Sequence, residues 1–423
     1  MATSTQNITA ADTHTDDSIQ AHEIIRIGLF GLGTVGTGIF EVIGKARNAH
    51  AEIRRICVRD LSKPRNVEVP AQLLTDRPED ILNDPEIDLV VEVIDNADAA
   101  FNIVTSALKK GIPVVSGNKT MIARHLPELI DLQRRHKTAL LYDASSCGSI
   151  PVIRNLEEYY DNDLLLEVKG ILNGSSNYIL SRVFDHDEPY ADALAKAQAA
   201  GFAESDPTYD IEGFDSLFKL IIITVHALGA YVAPEDIFTF GISHLDEADI
   251  RYAREKRMKI KLVAQVVKVN PEEFTMFVMP EFVDKSKYIY SVDDEYNGVV
   301  IRGECYDRQF MFGKGAGSLP TASSILSDVM ARRHGYCYEY KKMGYLDIPA
   351  YTTNVALKIY ARYSTTDLPS LLPFKEIQES YVSSGYKYVV GEILLSDLIA
   401  NRQLLNAPDV FVANFPRFFL DRD

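Results

Sequence analysis

A glycine turn wedged between an apolar strand and a helix constrains this chain more than any other feature. The run EIIRIGLF (23–30) reads as a buried strand, and GLGTVGTGIFEVIGKA follows it at once, setting Gly31, Gly33 and Gly36 in the order G-x-G-x-x-G. Such a turn lets the backbone approach a pyrophosphate while the next helix aims its free N-terminal amides at it. Leu32, Thr34 and Val35 fill the turn between the glycines.

The stretches that follow agree with that beginning. EIRRICV (52–58), IDLVVEVI (87–94), IPVVSGN (112–118) and ALLYDAS (139–145) read as further strands, with helical stretches between them, notably 98–110 and 125–136. Alternation of this kind gives a parallel, doubly wound sheet. The expected fold is therefore an α/β Rossmann-type dinucleotide-binding domain over 23–150, behind a polar, acidic leader at 1–22 read as disordered.

Beyond residue 150 the pattern changes. LLEVKGILNG leads into helices at 176–184 and 189–200, and then strands dominate: IKLVAQVVKV, FTMFVMPEFV, GVVIRGEC and QFMFGKG. These imply an α+β second domain with a mainly antiparallel sheet over 151–318, expected to be the substrate and dimerisation domain. GAGSLPTASSILSDVMAR is expected to return to the first domain as a helix, within a segment spanning 319–350. Residues 351–423 form a C-terminal tail, a small α/β unit with a helix expected near 372–383.

The stretch GFDSLFKLIIITVHALG (213–229) poses a chemical question. Apolar residues cover every side of the helix it would form, yet it carries Lys219 one turn in. A helix that is apolar all round is buried, and a buried unpaired ammonium costs several kcal/mol, or about as much in a lowered pKa. An i, i+4 pair with Asp215 is the structural reading, but when exposed it is worth only about 0.3–0.5 kcal/mol. The chemical reading is a proton donor. Lys119, just past the strand VVS, is aimed at the crevice beyond the strand ends where such sheets bind ligands. Two lysines beside a hydride carrier fit the reduction of a carbonyl, with mutual repulsion, desolvation and the helix dipole each expected to lower the lysine pKa values.

Two charged clusters flank these lysines in the sequence. Glu204, Asp206, Asp210, Glu212 and Asp215 crowd the loop before the helix; they suit solvent, a cation or a substrate ammonium, and spacing does not separate these. After the second strand come Arg59, Lys63 and Arg65, cations suited to a ribose 2′-phosphate and hence to NADP. The adjacent Asp60 keeps NAD open, since an acidic residue there holds a ribose hydroxyl.

Totals exclude several classes. A net charge of −16 on 423 residues argues against a nucleic-acid binder. Cys57, Cys147, Cys305 and Cys337 are scattered, without metal-ligand spacing, and read as reduced thiols of a cytoplasmic protein. No apolar run approaches the roughly 18 residues of a membrane span.

Taken in order, GLGTVG, VRDLSKPR, SGNKT, GILNGSSNYIL, GFAESDPTYDIEGFDSLFKL and GKGAGSLPTAS resemble homoserine dehydrogenase, from about Ile24 to Gly344. The resemblance implies NAD(P)H-dependent reduction of aspartate 4-semialdehyde to homoserine, in threonine and methionine biosynthesis. By it, Lys219 is the acid/base lysine and Lys119 a second lysine near nicotinamide and substrate. Glu204 and Asp215 hold the substrate, with Asp210 also in the pocket. Gly31, Leu32, Gly33, Thr34, Val35, Gly36, Arg59, Asn96, Lys119, Gly201 and Gly315 meet the cofactor. It further implies a sodium ion on the main-chain carbonyls of Asp143, Ser146, Gly148 and Ile150, and a homodimer or homotetramer. This chain differs in having Asp95 and Asn96 where many relatives have a glycine pair, and Asp143 where Glu is usual. Its tail has the element order of an ACT unit but lacks the usual Asp-x-x-Gly turn. The competing readings are a dehydrogenase of another small amino-acid semialdehyde and a non-catalytic relative that binds the cofactor.

Overall fold

The glycine turn lies where two halves of a parallel sheet part. The computed structural model describes residues 24–46, 50–65, 67–345, 347–365 and 367–416, so the leader read over 1–22 lies outside the described residues. The first sheet comprises β1 (Ile25–Phe30), β2 (Ala51–Cys57), β3 (Leu74–Thr75), β4 (Leu89–Glu92), β5 (Val114–Ser116) and β6 (Leu140–Leu141), in the order β3-β2-β1-β4-β5-β6. Every ladder is parallel. All four residues of β4 are buried, as a strand covered on both faces requires. The chain turns outward on opposite sides of β1 and β4, which opens a crevice at their carboxyl ends.

Two of the differences from the expected bounds bear on the site. The helix expected from 125 begins at Lys119 and runs to His136, because the Asn118 side chain caps it by accepting the Met121 amide at 3.0 Å. The strand expected over 139–145 stops at Leu141, and the chain then coils through a short helical turn, Ala144–Cys147.

The second sheet is mixed. It contains β7 (Leu165–Ile171), β8 (Phe238–Thr239), β9 (Lys259–Asn270), β10 (Glu273–Val283), β11 (Tyr296–Gly303) and β12 (Asp307–Lys314). β12, β11, β7, β9 and β10 pair antiparallel in that order, while the short β8 pairs parallel with β10. The helix Ser318–Arg333 leaves this sheet and lies against the glycine-turn helix Thr34–Lys45. The Ser318 hydroxyl donates to the Thr34 carbonyl at 2.8 Å. Among the described residues no helix is long and apolar enough to cross a membrane.

The tail supplies β13 (Ala350–Tyr351), β14 (Ala356–Tyr363), β15 (Glu376–Val382), β16 (Lys387–Leu394) and β17 (Phe411–Phe415). From β14 onward, with short helices at Leu368–Leu371, Leu395–Ala400 and Arg402–Leu405, the order is βαββααβ and the strands lie β17-β14-β16-β15. β17 then pairs parallel with β10, so the tail extends the second sheet. The helix expected near 372–383 is instead strand β15, held by its ladder to β16, with Tyr381 stacked on Tyr388. Most of β15 is exposed, so it shows no alternation of burial that would mark it as a strand.

Candidate active site

The helix posed by the sequence exists, at Phe214–Leu228, and every residue from Asp215 to Leu228 is buried. With no wet face, its charged and hydrogen-bonding side chains are pressed to find partners inside the protein, although the buried Ser216 hydroxyl has none. Thr224 donates to the Leu220 carbonyl at 2.7 Å, and His226 bonds Glu157 at 2.6 Å and Tyr142 at 2.8 Å. Lys219 meets the same demand. Its ammonium lies 2.7 Å from Asp215 Oδ2, the i, i+4 pair, and donates to the Leu172 carbonyl at 2.6 Å.

The other oxygen of Asp215 is taken by Lys119, at 2.7 Å. Two lysines thus share one carboxylate, one from the first residue of the helix after β5 and one from the buried helix. Asn173, just past β7, completes the set: its side-chain amide donates to Asp215 at 2.9 Å and to Asp210 at 2.6 Å. Its oxygen caps the next helix through the Ser176 amide at 2.7 Å, which fixes the amide's direction.

This arrangement settles the electrostatics. Burial alone would raise the Asp215 pKa, but Lys119 and Lys219 outweigh it and hold the carboxyl well below the usual range. Lys119 is held above its ordinary value, chiefly by Asp215, against the opposing effect of burial. The expectation that lysine repulsion and the helix dipole would lower both pKa values therefore fails for Lys119, because the shared anion was not in the account. Asp210 is pushed upward, first by burial and then by Asp215. Asp210 is half-buried and Glu204 exposed on the preceding loop, where its charge still reaches Lys119.

Backbone shape sets the cofactor side. Gly31 has φ +98°, and a Cβ there would lie 2.8 Å from the Val93 carbonyl oxygen; a Cβ on Gly36 would lie 2.2 Å from the Gly31 carbonyl oxygen. Gly33 faces open space and caps the helix Thr34–Lys45 without a side-chain bond. A cradle of free amides with room above it fits a pyrophosphate. Asn96 caps the helix after β4 through the Ala99 amide at 2.8 Å. Arg59 is exposed at the end of β2. Of its neighbours, Asp60 is occupied by the Ser62 amide and hydroxyl at 2.8 and 2.6 Å. Arg65 folds back on the carbonyls of Asp60, Leu61 and Lys63. Gly201 is exposed, at φ +76°, beyond the helix Tyr190–Ala199.

Gly315 joins the two sides. A Cβ there would fall 2.0 Å from the side chain of Asn297, whose amide donates to the same Leu172 carbonyl that holds Lys219. Gly148 packs on the other side of it, where a Cβ would lie 2.4 Å from the Gly315 oxygen. Asp143, Ser146, Gly148 and Ile150 are spread along the turn around Ala144–Cys147. The Asp143 carboxylate accepts the amides of Ile153 and Arg154 at 2.8 and 3.1 Å. Asn173, Asn297 and the Leu172 carbonyl are the site groups that sequence reasoning did not single out. NGSSN, which contains Asn173, was noticed only as part of a motif.

A dinucleotide cradle and a lysine pair, one lysine just past β5 of the same parallel sheet, define a nicotinamide-dependent dehydrogenase. Comparison with known proteins narrows this. The family model for the homoserine dehydrogenase domain matches residues 151–330, and the one for the homoserine dehydrogenase NAD-binding domain matches 31–143. Homoserine dehydrogenase of Bacillus subtilis is 33% identical over 314 residues, spanning 73% of this chain and 72% of that protein. That of Corynebacterium glutamicum is 35% identical over 317 residues, spanning 72% and 71%. The crystal structure of a homoserine dehydrogenase from Thiobacillus denitrificans superposes with a TM-score of 0.77 at 29% identity, covering 93% of this chain and 98% of that one. The chain belongs to the homoserine dehydrogenase family. It is an oxidoreductase that uses a nicotinamide dinucleotide.

Proposed function

We propose that this enzyme reduces aspartate 4-semialdehyde to homoserine at the Lys119–Asp215–Lys219 cluster, with Lys219 as proton donor. The observation that carries the reading is the sharing of one buried carboxylate by two ammonium groups from different parts of the chain. When bound, the dinucleotide supplies the hydride that reaches the aldehyde carbon. The aldehyde oxygen, gaining negative charge, takes a proton from Lys219, whose donors are otherwise aimed by the Leu172 carbonyl and Asp215. Lys119 adds a second positive charge beside that oxygen. Asp215, strongly acidic in this setting, stays anionic near neutrality and so orients both lysines without competing for the transferred proton. Asp210 and Glu204, with Asp215, form an acidic rim suited to the substrate ammonium.

Gly31, Leu32, Gly33, Thr34, Val35 and Gly36 would hold the pyrophosphate, and Asn96, Gly201 and Gly315 would border the rest of the cofactor. NADP is the preferred form in this reading: Arg59 is exposed, while Asp60, the residue that would favour NAD, is engaged by Ser62. A sodium ion would sit on the carbonyls of Asp143, Ser146, Gly148 and Ile150. Those of Asp143 and Ile150 each accept one amide, from Ser146 at 3.3 Å and Val152 at 2.8 Å, and retain a second lone pair. A homodimer or homotetramer is supported by the free edges β12 and β15, which expose Phe312, Ile377 and Tyr381.

The test is a spectrophotometric assay offering aspartate semialdehyde and its homologues with NADPH and with NADH. Rapid turnover of aspartate semialdehyde with preference for NADPH is expected. Faster turnover of a homologous semialdehyde would replace the substrate assignment.

A further inference from the structure

Glu92 ends β4 at the carboxyl edge of the parallel sheet and is fully buried. Among the described residues it forms no ion pair. Its two oxygens accept the Ile94 amide at 2.8 Å and the Ser116 hydroxyl at 2.6 Å. Burial pushes its pKa up to about 7 despite those bonds, and Asp95 in the next loop adds to the rise. Its partners on the flanking strands, Phe30 on β1 and Ser116 on β5, carry no charge. A carboxylate in this position is costly, and an amide of the same shape would avoid the cost.

The carboxylate does one thing an amide cannot: it accepts at both oxygens. Through them it closes a ring. Ser116 Oγ accepts the Asn118 amide at 3.1 Å, and the Asn118 side chain donates back to the Ile94 carbonyl at 2.9 Å. The same Asn118 caps the helix whose first residue is Lys119. The ring thus ties the β4 loop, which presses Val93 against Gly31, to the β5 loop that carries Lys119.

We infer that Glu92 is a positioning residue for the reduction: its carboxylate, touching neither substrate nor cofactor, holds Lys119 in register with the glycine turn through Ser116, Asn118 and Ile94. This rests on the reading that Lys119 acts at the site, so Lys119→Ala is measured alongside.

The experiment compares Glu92→Gln, Ser116→Ala and the double variant with the parent in kcat, both KM values, the kcat–pH profile and Tm. Glu92→Gln is expected to lower kcat by about three- to tenfold, no more than loss of Lys119 itself, because a small misplacement of that group is what it causes. The kcat–pH profile should lose an ionisation near 7. The sign of the stability change separates this from a merely structural role. A carboxyl whose pKa is raised on folding from 4.5 to about 7 loses stability as pH rises through that interval, and the loss is complete above it. Glu92→Gln should therefore match or exceed the parent Tm at pH 8 while working more slowly. Ser116→Ala should also lower kcat, and the double variant should be no slower than the slower single one. A kcat within twofold of the parent, a Tm at pH 8 that falls along with kcat, or additive losses in the double variant would overturn the inference. If Glu92→Gln does not fold, an unchanged kcat in Ser116→Ala overturns it. Normal kinetics in Lys119→Ala would defeat both this inference and the reading beneath it. An impaired Lys119→Ala beside a normal Glu92→Gln would defeat the inference alone.

Discussion

The two lysines of the site reach one carboxylate under different conditions. Lys219 comes from the middle of a buried apolar helix, its side chain 8% exposed and its ammonium held by a backbone carbonyl as well as by Asp215. Lys119 comes from the half-buried start of a helix just past β5, its side chain 37% exposed and Asp215 its one ion-pair partner among the described residues. The first is over-determined by packing, and the second is placed by loops. A group fixed on every side suits a step that needs a proton at one point. A group that reaches solvent suits a neighbour to a cofactor that must come and go.

The contrast can be tested from its strongest consequence down. Lys219→Ala should reduce turnover by about a thousandfold, in line with loss of a general acid, while dinucleotide binding by fluorescence titration persists. Near-normal turnover would remove the proton donor from the scheme. Asp215→Asn should reduce turnover by about a hundredfold, since both ammonium groups lose the anion that aims them. The depressed Asp215 pKa also fixes a pH window. Its contribution to stability is present above the unfolded carboxyl value of 3.8 and is lost as pH falls below it. The Tm difference between parent and Asp215→Asn should therefore stay constant from pH 6 to pH 8 and shrink only in acid; a difference that changes near neutrality would contradict the ion-pair geometry.

Lys119→Ala should have a smaller effect on turnover, about tenfold, with a raised KM for the dinucleotide. Should it equal Lys219→Ala in every constant, the two lysines would be one functional unit and the distinction would collapse. Arg59→Ala lies furthest from the chemistry: KM for NADPH should rise about tenfold and KM for NADH should stay within twofold. Equal changes would mean that Arg59 does not read the 2′-phosphate.

How far the sequence carried the reader differs in the same way between regions. The glycine turn and β1, β4 and β5 were legible because both signals are local: glycines at fixed offsets, and apolar runs that a doubly covered strand requires. Lys219 was legible as a contradiction, a charge where packing allows none. The anion that resolves it was in view as Asp215, but its second bond, to Lys119, joins two helices far apart in the chain and leaves no periodic trace. Asn173, Asn297 and the Leu172 carbonyl act through contacts of the same long-range kind. Leu172 contributes only its backbone, so no side-chain pattern marks it. β15 was misread because its exposed residues carry no alternation, and its strand character comes from β16.

Where β17 meets β10 has a practical consequence. The tail lengthens an existing sheet and covers the flank of β10 with its own strand. Cutting the chain before β14 to obtain a smaller catalyst would uncover β10 where Glu281 faces Asn414 and where Phe282 stacks on Phe415, a patch of unpaired backbone and bare aromatic surface that invites sticking to other molecules. A trimmed enzyme would need a blunted flank, such as a lysine or proline on that strand, before it could be handled at high concentration.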